Sequence, residues 1–449
     1  MNKKPMDMVN GPLLKNIFIF AIPLMATNLL QMLYNAADII VVGKFAGQQA
    51  LAAVGATSSL IFFFTSLFNG LATGTNVAIA RAIGSQNKDN IHKGVNTSII
   101  LAVLSGITLT LLGTSLAKLF LTWMSTPADI IQLSTLYMRI YFMGSLFMIV
   151  YNFGAAILRA NGETQKPLYF LMISGAINVV LNLIFVIFFH MSVMGVALAT
   201  VISQAVSCIL VLYTLINRDD DLRINLKEQK FIPEVALDII RIGLPASFQG
   251  IAFAFSNIII QSSINSFNSS IYVAGNSAAN NLENFVYIGM MAFGQATITF
   301  TSQNVGAGKK ENISRIMKTT LLLGTLSGFI VSFIVWYFGD FFLSLYTNDL
   351  AVIQAGKVRL FWVTLFLCLN GVMDTFINSM RGMGTSGLPS FLMVITICGV
   401  RFLWLGTIFQ WNPQFEVIYM CFPISWIATS IIEYILYRKV LAQKLKEQI

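Results

Sequence analysis

Apolar residues run in long, nearly unbroken stretches along this chain, separated by short polar segments. Each stretch approaches or exceeds the ~20 mostly apolar residues that cross a bilayer. The pattern predicts twelve spans, at roughly 15–42, 51–78, 95–119, 133–157, 167–190, 194–216, 238–264, 271–301, 316–339, 357–380, 389–410 and 415–437. With no water in the hydrocarbon to satisfy backbone groups, segments this long must be helices rather than open strands. The first run is too long for a signal-peptide core and a second follows closely, so no cleaved leader is expected.

The pattern also repeats. Shifted by 222 residues, the chain lines up with itself: Pro23 meets Pro245, Gly84 meets Gly306, and Arg159, Gly162 and Pro167 meet Arg381, Gly384 and Pro389. A constant offset at three separated places implies duplication of one unit. Each copy carries six spans, and an even number returns the chain to its starting side. The expected fold is therefore an all-α integral membrane protein, two six-helix bundles related by a parallel pseudo-two-fold axis along the membrane normal. The division is 1–216 for the N-terminal lobe, 217–237 for a charged linker and 238–449 for the C-terminal lobe. Substrate sites in such repeat transporters lie near the midplane.

Composition agrees with lipid as the solvent: 56% of residues are hydrophobic and 10% charged, against the ~25% charged of soluble domains. The net charge of +9 invites a nucleic-acid reading until its distribution is examined. With a cytoplasmic N-terminus, 22 of the 28 Lys and Arg fall in inner segments, Lys3, Lys4 and Lys227 among them. Lys44 and Lys118 fall in outer loops, Lys357 and Arg359 at the outer start of the tenth span, and Arg139 and Arg401 within spans. The positive-inside rule then places both termini in the cytoplasm of a multi-pass protein of the cell (inner) membrane. The basic excess reports topology, and no nucleic-acid partner is expected.

Ionisable and amide side chains inside spans are functional candidates, because each is costly in hydrocarbon. In the first span Asp38 follows Gln31, Tyr34 and Asn35. Helical spacing sets Tyr34 beside Asp38 and Gln31 beside Asn35. In the fifth span Asn178 and Asn182 share one face by the same spacing, and the sixth supplies Thr200, Ser203 and Gln204. Pointed inward, these groups make a polar chamber around one carboxylate. That carboxylate can take a proton, or with the oxygens of Asn178 and Asn182 it can hold Na⁺, a hard cation suited to oxygen ligands. Alternatively Asp38 braces helices. The second half is polar elsewhere, at Asn280, Asn281, Glu283 and Asn284, at Asp374 and Asn378, and at Arg401. Glu283 or Asp374 can attract a cationic substrate, or pair with Arg401 or Arg139 and hold helices together. The 36 Phe and 20 Met suit a permissive pocket for flat lipophilic cations.

Other chemistry is excluded. Cys208, Cys368, Cys398 and Cys421 lack metal-ligand spacing and read as small buried hydrophobes. His92 and His190 are too far apart in sequence to suggest a triad or zinc cluster. GAGKK at 306–310 lacks the phosphate-loop spacing, so no nucleotide is expected and the driving energy is an ion gradient. Asp219, Asp220 and Asp221 read as a solvated loop.

Taken together, IPL in the first span, LYNAADIIVVG at 33–43, LAAVGAT at 51–57, AIGSQNK, LRANGETQKP, INVVLNLIF, GVALATVISQ and GQATITFTSQNVGAGKKENISR resemble the prokaryotic multidrug and toxic compound extrusion (MATE) family. The resemblance runs from about Lys15 to Arg438. It implies a V-shaped pair of bundles, no enzymatic activity and no cofactor. It further implies a monomer that antiports small lipophilic cationic drugs or dyes against H⁺ or Na⁺ by alternating access. The family's first-lobe network falls on Tyr34, Asp38, Asn178, Asn182 and Thr200. One branch carries Asp where this chain has Asn182, so here the lobe keeps one carboxylate. In the second lobe, Glu283 and Asp374 match the family's acidic positions only loosely. Pro23 is the expected hinge of the first helix, since proline removes a helical hydrogen bond.

A lipid-linked oligosaccharide flippase is the alternative reading. It calls for several Arg or Lys in first-half spans to meet phosphates, and only Arg139 lies in one. A channel or membrane receptor is a third class, separated from both by the absence of gradient-driven uphill movement.

Overall fold

Long apolar runs, few interior prolines and small residues at helix crossings give an all-helical chain. The computed structural model describes residues 6–124, 126–225 and 230–446, and no strand occurs among them. Lys3, Lys4 and Lys227, counted above, lie outside the described residues. The helices are α1 (Leu13–Val41), α2 (Gln48–Gly84), α3 (Lys88–Trp123), α4 (Ile131–Met143), α5 (Ser145–Ala160), α6 (Gln165–Leu183), α7 (Ser192–Ile216) and α8 (Pro233–Asn265). The second half holds α9 (Ser270–Gly306), α10 (Lys310–Tyr337), α11 (Gly339–Ser344), α12 (Leu350–Arg359), α13 (Leu367–Gly382), α14 (Gly387–Gly406), α15 (Ile408–Trp411) and α16 (Phe415–Lys446).

The duplication is written into these bounds. α2 and α9 both span 37 residues; their starts and ends, like the starts of α3 and α10, of α5 and α13, and of α6 and α14, lie 222 residues apart. Gly162 and Gly384, also one offset apart, both take left-handed backbone angles (φ 84° and 87°) just after α5 and α13. That conformation is open to glycine without a side-chain clash.

Ten described helices are long and apolar enough to cross a membrane, and the pair α4–α5, bent by 44°, makes an eleventh span. The twelfth span expected from the sequence is α9. Its length is sufficient, but the asparagines and serines along it leave it too polar to meet the same apolarity requirement. A helix of that kind in a bilayer must turn a polar face away from lipid.

Contacts divide the chain into two compact units, one running Ala26–Ser247 and the other combining Asp7–Met25 with the chain from Phe248 onward. This differs from a division at the 217–237 linker, because α1 and α8 each change company partway along. In the first unit α2 carries Gly70 and Gly74, four apart as in close-packed membrane helices. A Cβ on Gly70 would stand 2.5 Å from the Gly243 carbonyl oxygen, and one on Gly74 3.0 Å from the Ile239 carbonyl carbon. The leading part of α8 is thereby held against α2. In the second unit Phe20 meets Phe300 edge-on at 5.6 Å, and Asn304 donates to the Met8 carbonyl at 3.0 Å. The leading part of α1 is held there by α9. Pro23 and Pro245 lie inside α1 and α8, each just before the point where its helix changes unit.

The polar edge of the first unit after α5 is closed by charge. Glu163 accepts from Arg218 at 2.7 Å and from Asn161 at 2.8 Å, and pairs with Lys166 at 2.5 Å. Burial pushes the Glu163 carboxyl up, but Arg218, Lys166 and Asn161 outweigh it and hold it at about 2. A carboxyl held below its unfolded value of 4.5 adds stability above that pH and loses it as pH falls toward 2. We expect the melting temperature in mild detergent to drop between pH 4.5 and pH 2, and Glu163→Gln to flatten that slope. An unchanged slope in the variant would remove Glu163 from the account.

Candidate functional site

The first unit brings the expected polar residues of three helices to one place. Asn178 and Asn182 stand one turn apart on α6 and are both buried, Asn182 completely. From Asn182 the amide nitrogen donates to the Asp38 carboxylate on α1 and, at 3.2 Å, to Asn178 Oδ1. Asn178 in turn donates to Thr200 Oγ1 on α7 at 3.4 Å, and the Thr200 hydroxyl donates to the Val196 carbonyl at 3.0 Å. Both amide hydrogens of Asn182 are thus committed, whereas its Oδ1 is buried without a hydrogen-bond partner among the described residues. Leaving a buried acceptor unsatisfied costs ~1–3 kcal/mol.

Tyr34 belongs to the same neighbourhood through packing. Its ring lies where a Cβ on Gly175 would be, so the absence of a side chain on α6 is what lets the ring in. Gln31 and Asn35 are exposed on α1 and make no hydrogen bond to the Asp38 network among the described residues. Sequence reasoning missed Tyr137 and Tyr141 of α4, both close enough to Asp38 to feel its charge. Gln204 Oε1 on α7 is likewise buried without a hydrogen-bond partner among the described residues.

The second unit is built differently. Arg359, at the end of α12, is buried and donates through Nε and Nη2 to Glu283 Oε2 at 3.1 and 2.7 Å. It also donates to Asn276 Oδ1 at 2.6 Å and Asn280 Oδ1 at 2.8 Å, and Tyr419 donates to the same Asn276 oxygen at 2.9 Å. The expected pairing of Glu283 with Arg401 or Arg139 is therefore corrected to Arg359. Arg401 instead donates to Ser256 at 3.1 Å and lies 4.3 Å over the Phe422 ring, while Arg139 donates to the Thr114 carbonyl at 3.2 Å. Among the described residues Asp374 likewise has no arginine bonded to it; it accepts from Tyr287 at 2.5 Å.

A further acid was not legible as a candidate. Glu433 on α16 is fully buried, both its oxygens lack a hydrogen-bond partner among the described residues, and it feels the charge of Arg381 on α13. Arg381 is held by Gln249, by Ser390 at 3.1 Å and by Asn378 at 3.2 Å. No group of three or more His, Cys, Asp or Glu that would hold a metal occurs among the described residues.

Comparison with known proteins accounts for this architecture. The MatE family model matches residues 23–184 and 245–405, one stretch in each half and together more than half of the chain. The chain is 25% identical over 435 residues to the probable multidrug resistance protein YpnP of Bacillus subtilis (strain 168), covering 97% of each. It is 26% identical to the probable multidrug resistance protein YoeA of the same organism, over 86% of this chain and 85% of the relative. To the multidrug export protein MepA of Staphylococcus aureus (strain N315) it is 21% identical, over 86% of this chain and 85% of the relative. Among solved structures, an outward-facing multidrug resistance MATE family transporter of the MOP superfamily superposes with a TM-score of 0.91 at 23% identity, covering 99% of this chain and 100% of that one. A MOP superfamily transporter from Pyrococcus furiosus, described as having a binding pocket of reversed polarity, gives the same score, identity and coverage. These structures are alike in fold. The chain is thus a multi-pass membrane protein and a transporter rather than an enzyme, and it belongs to the MatE family, whose motifs its sequence resembles.

Proposed function

We propose that the protein is a secondary active multidrug exporter, moving small lipophilic organic cations out of the cell in exchange for H⁺ or Na⁺. It works as a monomer with both termini in the cytoplasm, and the coupling ion is held at Asp38 in the first unit. The names of the relatives, multidrug resistance and multidrug export proteins, support the cargo. One observation supports the ion site: the buried, unpartnered Oδ1 of Asn182 beside the Asp38 carboxylate. A half-turn of the Asn182 amide about its terminal torsion brings that oxygen to where its nitrogen now lies. It then faces Asp38 and Asn178 as one more oxygen. A proton on Asp38 supplies the missing donor, and Na⁺ supplies a charge that several oxygens can share. Either ion satisfies the acceptor and cancels the carboxylate, so ion-loaded and ion-free states differ in local hydrogen bonding. Export follows if cargo and ion each favour a different state of the same protein.

The test is reconstitution in liposomes with a fluorescent lipophilic cation and an imposed H⁺ or Na⁺ gradient. We expect the dye to accumulate uphill with one of the two gradients. If neither gradient moves it, the exporter reading fails and the lipid-linked oligosaccharide flippase gains.

A further inference from the structure

We propose that the second unit holds a binding site for a small uncharged solute bearing several hydroxyl or carbonyl groups. The site is a cavity of about 250 Å³ walled by Asn257 and Gln261 of α8, Asn276, Asn280 and Asn281 of α9, and Arg359 of α12. Its residues all belong to the second unit, those of the Asp38 network to the first, and it goes beyond the cation-exporter reading.

Three observations set the ligand class. The first is charge. Arg359 is the charged residue of the wall, and two of its donors end on one oxygen of Glu283. An anion would have to displace Glu283 and leave a largely buried carboxylate unpaired, and a cation would face a guanidinium. The second is hydrogen bonding. Five of the lining side chains are amides, which both donate and accept. Asn280 turns its oxygen to Arg359, so its nitrogen, at the other end of the planar amide, has no protein partner among the described residues. Asn257 and Asn281 are exposed, and Ile260 and Phe422 supply the apolar wall. A hydroxyl, itself donor and acceptor, matches such a wall; a lipophilic ring does not. The third is placement. Ser277, Asn280, Asn281 and Asn284 are all exposed at spacings that put them along one side of α9. In a bilayer such a stripe faces water or a polar ligand, not lipid. The volume is below the ~300–1,000 Å³ of drug-sized pockets, so the solute is small.

The experiment is equilibrium binding to the full chain in nanodiscs, without any gradient, so that it reads this site independently of export. The probe is tritiated glucose, competed by unlabelled myo-inositol and uridine and by two charged analogues, glucuronate and protonated glucosamine. We expect saturable binding displaced by the uncharged competitors, with both charged analogues about tenfold weaker. Asn257→Leu combined with Asn281→Leu should abolish it, whereas Asp38→Asn should leave it intact. The proposal is overturned if glucosamine or glucuronate competes as well as unlabelled glucose, or if the double variant binds normally. It is also overturned if tritiated glucose shows no saturable binding up to about 10 mM.

Discussion

Asp38→Asn is expected to cut gradient-driven accumulation of a lipophilic cation by roughly tenfold or more, to the level of protein-free liposomes. The substitution is nearly isosteric, and the new amide oxygen can still accept the hydrogen bond from Asn182. Folding should therefore survive, and a normal melting temperature is part of the expected result. What the amide lacks is a charge for an ion to cancel. Without it, ion binding no longer distinguishes the states of the transporter, and a ligand with equal affinity for two states shifts neither. Asp38→Glu keeps the charge but moves it by one methylene, so partial activity is expected. If Asp38→Asn pumps as well as the native chain, coupling lies elsewhere. Glu433, buried in the other unit, and Asp374, half-buried there, are then the next to test.

How far this site could be read in the sequence depends on how local each contact is. Asn178 and Asn182 were legible because four residues on a helix is a face, and Asp38 because a carboxylate in a span stands out. Gln31 shares the direction of Asp38, but seven residues put it ~10 Å farther along the axis. Asn35 is turned about 60° away from Asp38 at 100° per residue. Neither reaches the network, although both sit in the same polar stretch. The two tyrosines of α4 are contacts of fold rather than of spacing.

In the second half the failures are instructive. Glu283 and Arg359 are separated by 76 residues, and a basic residue at a span's outer end reads most simply as a topology signal. Glu433 falls inside the last predicted span, 415–437, but it has no other acid or amide at helical spacing to mark a face, and it was not singled out. The duplication, by contrast, was fully legible, because an offset of 222 residues needs no knowledge of packing. What the offset cannot convey is where α1 and α8 change partners. That is decided by Gly70 and Gly74 meeting Gly243, and by Phe20 meeting Phe300.

Glu283→Leu is expected to destabilise the folded protein by about 3–5 kcal/mol, the cost of leaving one member of a buried ion pair alone. The side chains of Arg359 and Glu283 are 7% and 15% exposed, so water cannot readily replace the lost partner. The amide oxygens of Asn276 and Asn280 still accept from the guanidinium, but they carry no charge to offset it. Arg359→Met should cost a similar amount, this time stranding the carboxylate and the Asn280 oxygen, while Tyr419 still donates to Asn276. The double variant is the discriminating measurement. With both charges gone, the desolvation cost of each disappears too, and most of the stability should return. The two single effects therefore should not add, and denaturant unfolding in mild detergent reads the coupling between them. Additive losses would mean that each side chain packs on its own account and that the pair is incidental. Glu283→Leu carries a second readout. An uncompensated Arg359 makes the cavity wall positive, so glucuronate, a poor competitor in the native chain, should now compete better than glucose.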